Sequence, residues 1–169
     1  MQLLGTFYGF EQRADANRLF KIYVTDQGLS GGWIAPCDTA TIRFKGTRPG
    51  SQKIAEIQGC AQDWEEHLDS LVPGDEAFLA AHADNFAFDS SFTQASLTWK
   101  LSLLERAATR FGALDVCLDG GKQRRFYLVG RRTSDEVAGM LGAALPQLRL
   151  EGRPITAKPF GALEGASRS

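Results

Sequence analysis

Five basic residues crowd into one short stretch of this 169-residue chain, and they form its densest group of charged side chains. No acidic residue interrupts the stretch between residues 122 and 132. Arginine and lysine at this density can hold a phosphate group or an acidic partner surface. The plainer interpretation, which the sequence favours, is a solvated strand face or pairing with the acidic helices predicted at residues 51–83. The candidate residues for binding a ligand or partner are Lys122, Arg124, Arg125, Arg131 and Arg132.

The two histidines, His67 and His82, are the residues best suited to acid–base or metal chemistry. A general acid or base needs a partner, and Asp63 lies four residues before His67, within reach on a helix. The plainer interpretation is a partly exposed helix histidine beside a carboxylate. A zinc site would also need Cys60 or Cys117, whose spacing matches no recurrent zinc pattern. We therefore predict no metal site and no cofactor.

The cysteines and the glycine-rich segments do not predict catalysis either. Cys37, Cys60 and Cys117 are odd in number and widely spaced, which favours reduced thiols over a disulfide framework. The glycine pairs at 31–32 and 120–121 lack the spacing of a phosphate-binding loop, and neither leads into a helix. We find no nucleophile elbow and no paired-acid motif. The sequence therefore predicts a protein that is not an enzyme.

The composition is that of an ordinary globular domain, with 43% hydrophobic and 23% charged residues. The net charge of −1 provides no general attraction to nucleic acid or anionic membranes, and few aromatic residues lie among the basic ones. A nucleic-acid partner is therefore not expected. The sequence has no signal-peptide pattern and no apolar run of about 18 residues, so we predict no membrane span and a cytoplasmic location.

Charge is segregated along the chain. Between Lys53 and Lys100 there is no lysine or arginine, although acidic residues are frequent there. This acidic middle and the basic stretch at 122–132 could pair within the fold or across a dimer.

The elements that must position these residues are two groups of strands separated by helices. Apolar alternation predicts the strands, at residues 3–10, 19–24, 29–35, 41–45, 86–88, 94–101, 113–118 and 124–130. An apolar stripe at helical spacing from Ile54 to Leu71 predicts a long helix, and Asp75 caps a shorter one. The stripe packs on a sheet in the simplest interpretation, and forms a dimer seam in the alternative. A last helix is predicted at 134–145.

Several of these segments resemble bacterial pleckstrin-homology-like (PH-like) domains. The segment KIYVTDQGL at 21–29 is similar to the opening hairpin of that family. The pattern N-F-x-F at 85–88, followed by L-x-W at 97–99 and G-x-L-x-V-x-L at 112–118, is similar to its second sheet. The helix at 134–145 is similar to its closing helix. The resemblance implies a bent barrel of two antiparallel sheets plugged by a C-terminal helix.

We therefore predict one α+β domain over residues 1–160, with a disordered tail at 161–169. The resemblance covers about 3–45 and 84–146, so the helices at about 51–83 form an insertion. Proteins of this fold bind lipids, peptides or proteins, or serve as oligomerisation scaffolds, and the fold alone does not choose among these uses.

The predicted function is a non-catalytic binding or assembly module, whose partner is another protein, a second copy of the chain or an anionic ligand. One alternative is a small-molecule-binding protein or small enzyme, with a pocket between the inserted helices and the sheet near His67, Trp64 and Trp99. Another alternative is peripheral binding to anionic lipid or to an acidic partner through the basic hairpin.

Overall fold

The computed structural model describes residues 1–13, 17–36, 62–89, 94–103, 105, 112–117, 123–129 and 134–152. The strands are β1 (Leu3–Glu11), β2 (Arg18–Thr25), β3 (Gly28–Pro36), β4 (Phe86–Asp89), β5 (Gln94–Thr98), β6 (Ala113–Cys117), β7 (Gln123–Val129) and β8 (Arg149–Glu151). The main helical segments are α1 (residues 62–69), α2 (Glu76–Ala81) and α3 (Ser134–Ala144).

Most of the predicted elements are confirmed, with ends that differ by one to three residues. The α+β class is likewise confirmed. Asp75 caps α2 as expected, since its Oδ1 accepts a hydrogen bond from the backbone N–H of Phe78 at 2.7 Å. Other predictions lie outside the described residues, namely the strand at 41–45, the helix before residue 62, the turn at 119–122 and the tail at 161–169.

The eight strands of the described residues belong to one sheet, in the order β4-β3-β2-β1-β7-β6-β5-β8. The prediction of two antiparallel sheets is therefore wrong. Strand β1 joins the two groups because it pairs with β2 along its length and with β7 from Tyr8 to Glu11. Strand β8 runs parallel to β5, so the sheet is mixed. Alternation shows that a strand exists, but it does not specify both of the strand's neighbours.

The sheet bends strongly towards one face. Strands β4 and β7 are four steps apart in the sheet, which would separate them by about 19 Å if it were flat. Yet the rings of Phe86 on β4 and Phe126 on β7 stack with centroids 5.2 Å apart. This contact requires the two halves of the sheet to fold towards each other, and we call the enclosed side the concave face.

Helix α3 packs on the concave face and closes the main core. Its buried side chains include Val137 and Leu141, and Leu145 follows the helix; each is at most 2% exposed. They contact a core to which both halves of the sheet contribute, including Phe20 and Leu114. Because burial of one large apolar side chain contributes about 1.5–3 kcal/mol, this contact is a main source of stability.

Helices α1 and α2 connect β3 to β4 and pack on the opposite, convex face of the sheet. Leu68 and Phe78 are fully buried there against Tyr23 and Ile34. The described part of the apolar stripe therefore packs on the sheet, as the simplest interpretation predicts. In the described residues, no helix is long and apolar enough to cross a membrane.

Two adjacent glycines on β3 make room for large side chains on opposite faces. A Cβ on Gly31 would lie 2.1 Å from the Phe86 ring on the concave face. A Cβ on Gly32 would lie 2.6 Å from Leu68 of α1 on the convex face. The glycine pair therefore allows tight packing on both sides of β3 rather than forming a phosphate-binding loop.

Candidate interaction surface

Helix α1 is held to the sheet by a polar cluster, which we call the helix clasp: Tyr8, Lys21, Tyr23, Glu65 and Asp69. Lys21 Nζ donates to Glu65 Oε1 at 2.7 Å and to Asp69 Oδ2 at 2.8 Å. The hydroxyl of Tyr23 donates to Asp69 at 2.7 Å, and that of Tyr8 donates to Glu65. Tyr8 and Lys21 are cross-strand partners in β1 and β2, so the sheet presents its donors side by side. Glu65 and Asp69 are one helical turn apart and share a face of α1.

The two tyrosines and the lysine of the helix clasp all have raised pKa values. Burial, together with the hydrogen bond to Glu65, raises the pKa of Tyr8 to about 12. Burial and Asp69 raise the pKa of Tyr23 further. Burial alone would lower the pKa of Lys21, but its hydrogen bonds to Asp69 and Glu65 outweigh that effect and raise it. A general acid or base works best with a pKa near the operating pH, so these groups are suited to anchoring α1 rather than to proton transfer.

Beside the helix clasp lies a group of four rings, the aromatic patch: Trp33, Trp64, His67 and His82. The rings of Trp33 and His82 stack with centroids 4.2 Å apart and planes 5° apart. Trp64 meets Trp33 edge to face at 6.0 Å, and His67 lies 5.7 Å from Trp64. Both tryptophans are half-buried and His67 is exposed, so part of the patch faces solvent.

The side chain of Asn85 helps to position the aromatic patch. The side-chain oxygen of Asn85 accepts a hydrogen bond from the backbone N–H of Trp33 at 2.8 Å, and its Nδ2 donates to the carbonyl of Phe78 at 2.7 Å. Asn85 thereby joins β3 to α2, next to His82.

Asp63, Trp64 and His67 line a shallow depression of about 220 Å³ on the surface of α1.

Arg124 is enclosed by the protein itself. It makes a two-pronged ion pair with Glu11, from Nε at 2.9 Å and from Nη2 at 2.8 Å. Its guanidinium also lies over the ring of Phe86 at 4.2 Å and over that of Phe126 at 5.0 Å. Burial alone would raise the pKa of Glu11, but the hydrogen bonds and charges of Arg124 and Arg13 outweigh it and lower that pKa.

The predicted basic site is not brought together by the residues that the structure describes. Arg125 lies on the face of β7 opposite to Arg124, because side chains alternate along a strand. It pairs with Asp115, its cross-strand partner, at 3.3 Å and with Glu105 at 2.9 Å. In the described residues, then, the carboxylates that pair with these arginines come from β1, β6 and residue 105 rather than from α1 or α2. Lys122, Arg131 and Arg132 lie outside the described residues.

A second depression, of about 210 Å³, lies on the strands β5, β6, β7 and β8. Its lining includes Asp115, Cys117 and Arg149. Burial outweighs the charge of Arg125 and raises the pKa of Asp115. Cys117 is half-buried and lies on the side of β6 opposite to Val116, as its place in the alternation predicts.

His67 is an exposed residue of α1, as the plainer interpretation predicts, and its ring contacts Trp64. Asp63 lines the same depression, but among the described residues it forms no ion pair with His67. His82 Nδ1 accepts a hydrogen bond from the backbone N–H of Asp84 at 3.1 Å, which fixes its ring against Trp33. Within the described ranges, no group of three metal-ligating side chains comes together.

Sequence reasoning missed both the helix clasp and the stacking of His82 on Trp33. One signal for the helix clasp was present: Lys21 is a charged residue in the middle of an otherwise apolar strand, and Glu65 and Asp69 share one helical face. The stack had no such signal, because Trp33 and His82 are far apart in sequence and belong to separately predicted elements.

The geometry defines an α+β domain with one bent, mixed sheet covered by helices on both faces. No family model matches this chain, and neither a curated protein nor a solved structure does.

Proposed function

We propose that this chain is a non-catalytic binding module of the PH-like class, which recognises a protein partner through its surface. The strand order supports the class: β1 to β4 and β5 to β7 each form an antiparallel meander, joined by β1 and β7. The bend of the sheet and the packing of α3 on its concave face support it as well.

One observation carries the non-catalytic part of the proposal: within the described residues, large buried side chains occupy both faces of the sheet where an enclosed ligand could lie. Leu141 and Phe126 are fully buried on the concave face. Leu68 and Phe78 are fully buried between the sheet and the helices α1 and α2, where the alternative function would need its pocket. Recognition would therefore use exposed side chains.

The charged groups support the same conclusion. The side chains of Lys21, Arg124 and Glu11 are at most 15% exposed, and each is satisfied by partners in the protein. An active site generally places titratable groups where a substrate can reach them, with pKa values shifted towards the working pH. In the helix clasp, the pKa values of the two tyrosines and the lysine are instead raised, which moves them away from a neutral working pH.

The three tryptophans provide the test, because their indole N–H signals report on different places. Trp33 and Trp64 lie in the aromatic patch, whereas Trp99 is only 7% exposed. We would titrate the nitrogen-15-labelled chain with peptide pools of basic, acidic and apolar composition, and separately with a pool of common metabolites. A surface module predicts that a peptide pool shifts the signals of Trp33 or Trp64 and leaves Trp99 unchanged.

The opposite pattern would overturn the proposal. A metabolite that shifts the Trp99 signal, and that is converted to product during the titration, would establish an interior active site. Trp64→Leu is the matched control for the peptide titration, because it removes one reporter ring while keeping an apolar side chain next to Trp33.

A further inference from the structure

The described segment that contains most of the aromatic patch carries acidic side chains and no basic ones. Residues 62–89 contain eight aspartates and glutamates and no lysine or arginine. Three of these acids are paired with cations of the sheet: Glu65 and Asp69 with Lys21, and Asp84 with Arg18. Asp63 and Glu66 stay exposed on α1 and pair with no cation of the described residues, so the described part of the chain places the patch in an acidic field.

Within that field, Asp63 and Trp64 border the same depression on α1. Asp63 is exposed, and its carboxylate forms no ion pair or hydrogen bond within the described residues. A cation over a tryptophan face is attracted by the ring electrons, and a nearby carboxylate adds charge attraction. An arginine or lysine side chain matches both groups.

We propose that the aromatic patch docks a basic segment of a partner protein, with an arginine or lysine side chain held between the Asp63 carboxylate and the Trp64 ring. This inference rests on the proposed function, since it names the partner chemistry of the binding module. Charge complementarity selects the occupant: an acidic segment would be repelled by α1, and a purely apolar one would leave Asp63 uncompensated.

A second copy of this chain could also supply a basic side chain, and it is one outcome of the test. Among the described cations, Arg13, Arg18, Lys21, Arg124 and Arg125 are already paired with the chain's own carboxylates. A partner with uncommitted arginines or lysines in an extended segment would not have to break such pairs, so we expect it to bind in preference.

The test uses a fluorescent peptide of alternating arginine and glycine, with a glutamine–glycine peptide as the neutral control. Anisotropy would be measured at physiological salt, which screens diffuse attraction between exposed charges. We expect the arginine peptide to bind, and Trp64→Leu and Asp63→Asn each to weaken binding about tenfold. Glu76→Gln is the matched control, because it removes the same charge from α2 outside the patch, and it should change binding less than about twofold.

Three results would overturn the inference. One is no binding of the arginine peptide to the wild-type chain. Another is a Trp64→Leu variant that binds as tightly as wild type while Asp63→Asn and Glu76→Gln weaken binding equally, since the attraction would then be diffuse. The third is self-association that increases with concentration in sedimentation and is lost in Trp64→Leu, which would assign the patch to a second copy.

Failure of this inference is distinguishable from failure of the proposed function. If the acidic or apolar peptide pool shifts the Trp64 signal and the basic pool does not, the chain is a binding module with a different partner. Circular dichroism of each variant shows whether it is folded. Because Asp63 is exposed and its carboxylate is unpaired among the described residues, Asp63→Asn keeps the test decisive even if Trp64→Leu disturbs packing.

Discussion

The guanidinium of Arg124 and the carboxylate of Glu11 form a two-pronged ion pair at 2.9 and 2.8 Å, which links β7 to β1 where the two groups of strands join. Three aromatic rings, from β2, β4 and β7, surround the same guanidinium. Arg124 therefore helps to hold the bent sheet together, and its donors are used within the fold.

Removing Arg124 should destabilise the protein. Arg124→Met keeps most of the volume against the rings but leaves Glu11, whose side chain is 10% exposed, with Arg13 as its remaining cation. A half-compensated buried carboxylate costs about 2–4 kcal/mol. Urea unfolding would measure the loss, with Arg149→Met at an exposed position as the control. Equal stability of the two variants would show that the ion pair contributes little.

Acid should weaken the same contact. The pKa of Glu11 is lowered in the folded protein, whereas an unfolded glutamate titrates near about 4.3. The contribution of the Glu11 carboxylate to the free energy of unfolding is thus fully present above about pH 4.3, and it is lost as the pH falls through the lower pKa of the folded state. In Glu11→Gln, the unfolding free energy should fall less steeply between neutral pH and acid than in wild type. Parallel curves for the two proteins would contradict this expectation.

Alkaline pH should weaken the helix clasp. Burial and carboxylate partners raise the pKa of each of the three tyrosines, Tyr8, Tyr23 and Tyr127. In the unfolded chain tyrosine ionises near about pH 10, so above that pH the unfolded state loses protons that the folded state keeps. The raised tyrosine pKa values therefore stabilise the folded state fully below about pH 10, and this contribution is lost as the pH rises towards about 12.

Ultraviolet absorbance gives the measurement for the tyrosines. We expect no phenolate signal near pH 10 while circular dichroism still shows the folded protein, and a cooperative rise on unfolding. Tyr23→Phe should lower stability at neutral pH by about 1 kcal/mol through loss of its hydrogen bond to Asp69. Normal ionisation of Tyr8 or Tyr23 in the folded state would contradict the helix clasp.

The glycines of β3 and α3 should respond in opposite ways to alanine. Gly31→Ala would place a methyl group 2.1 Å from the Phe86 ring, and such overpacking costs about 1–3 kcal/mol. Gly139→Ala, in the middle of α3, meets nothing within 4 Å, and alanine favours a helix over glycine by about 1 kcal/mol. Thermal unfolding should show a lower midpoint for the first variant and a higher one for the second. A stabilised Gly31→Ala variant would mean that Phe86 can move aside.

The order of elements could be predicted because each depends on neighbouring residues. Phe20, Ile22 and Val24 alternate in sequence, and the same three side chains lie in the main core. The cap at Asp75 is local as well. The candidate site could not be predicted in the same way, because it depends on which faces meet.

Periodicity and capping act over a few residues, so they were enough to predict the strands, the helices and the polar or apolar character of each face. The bend of the single sheet depends on tertiary packing, and so does the contact of Lys21 with Glu65 and Asp69 across more than forty positions. The pairing of Arg124 with Glu11 and the stacking of His82 on Trp33 depend on it as well. Many partners can satisfy a charge or a ring, and the packing of whole elements selects one of them.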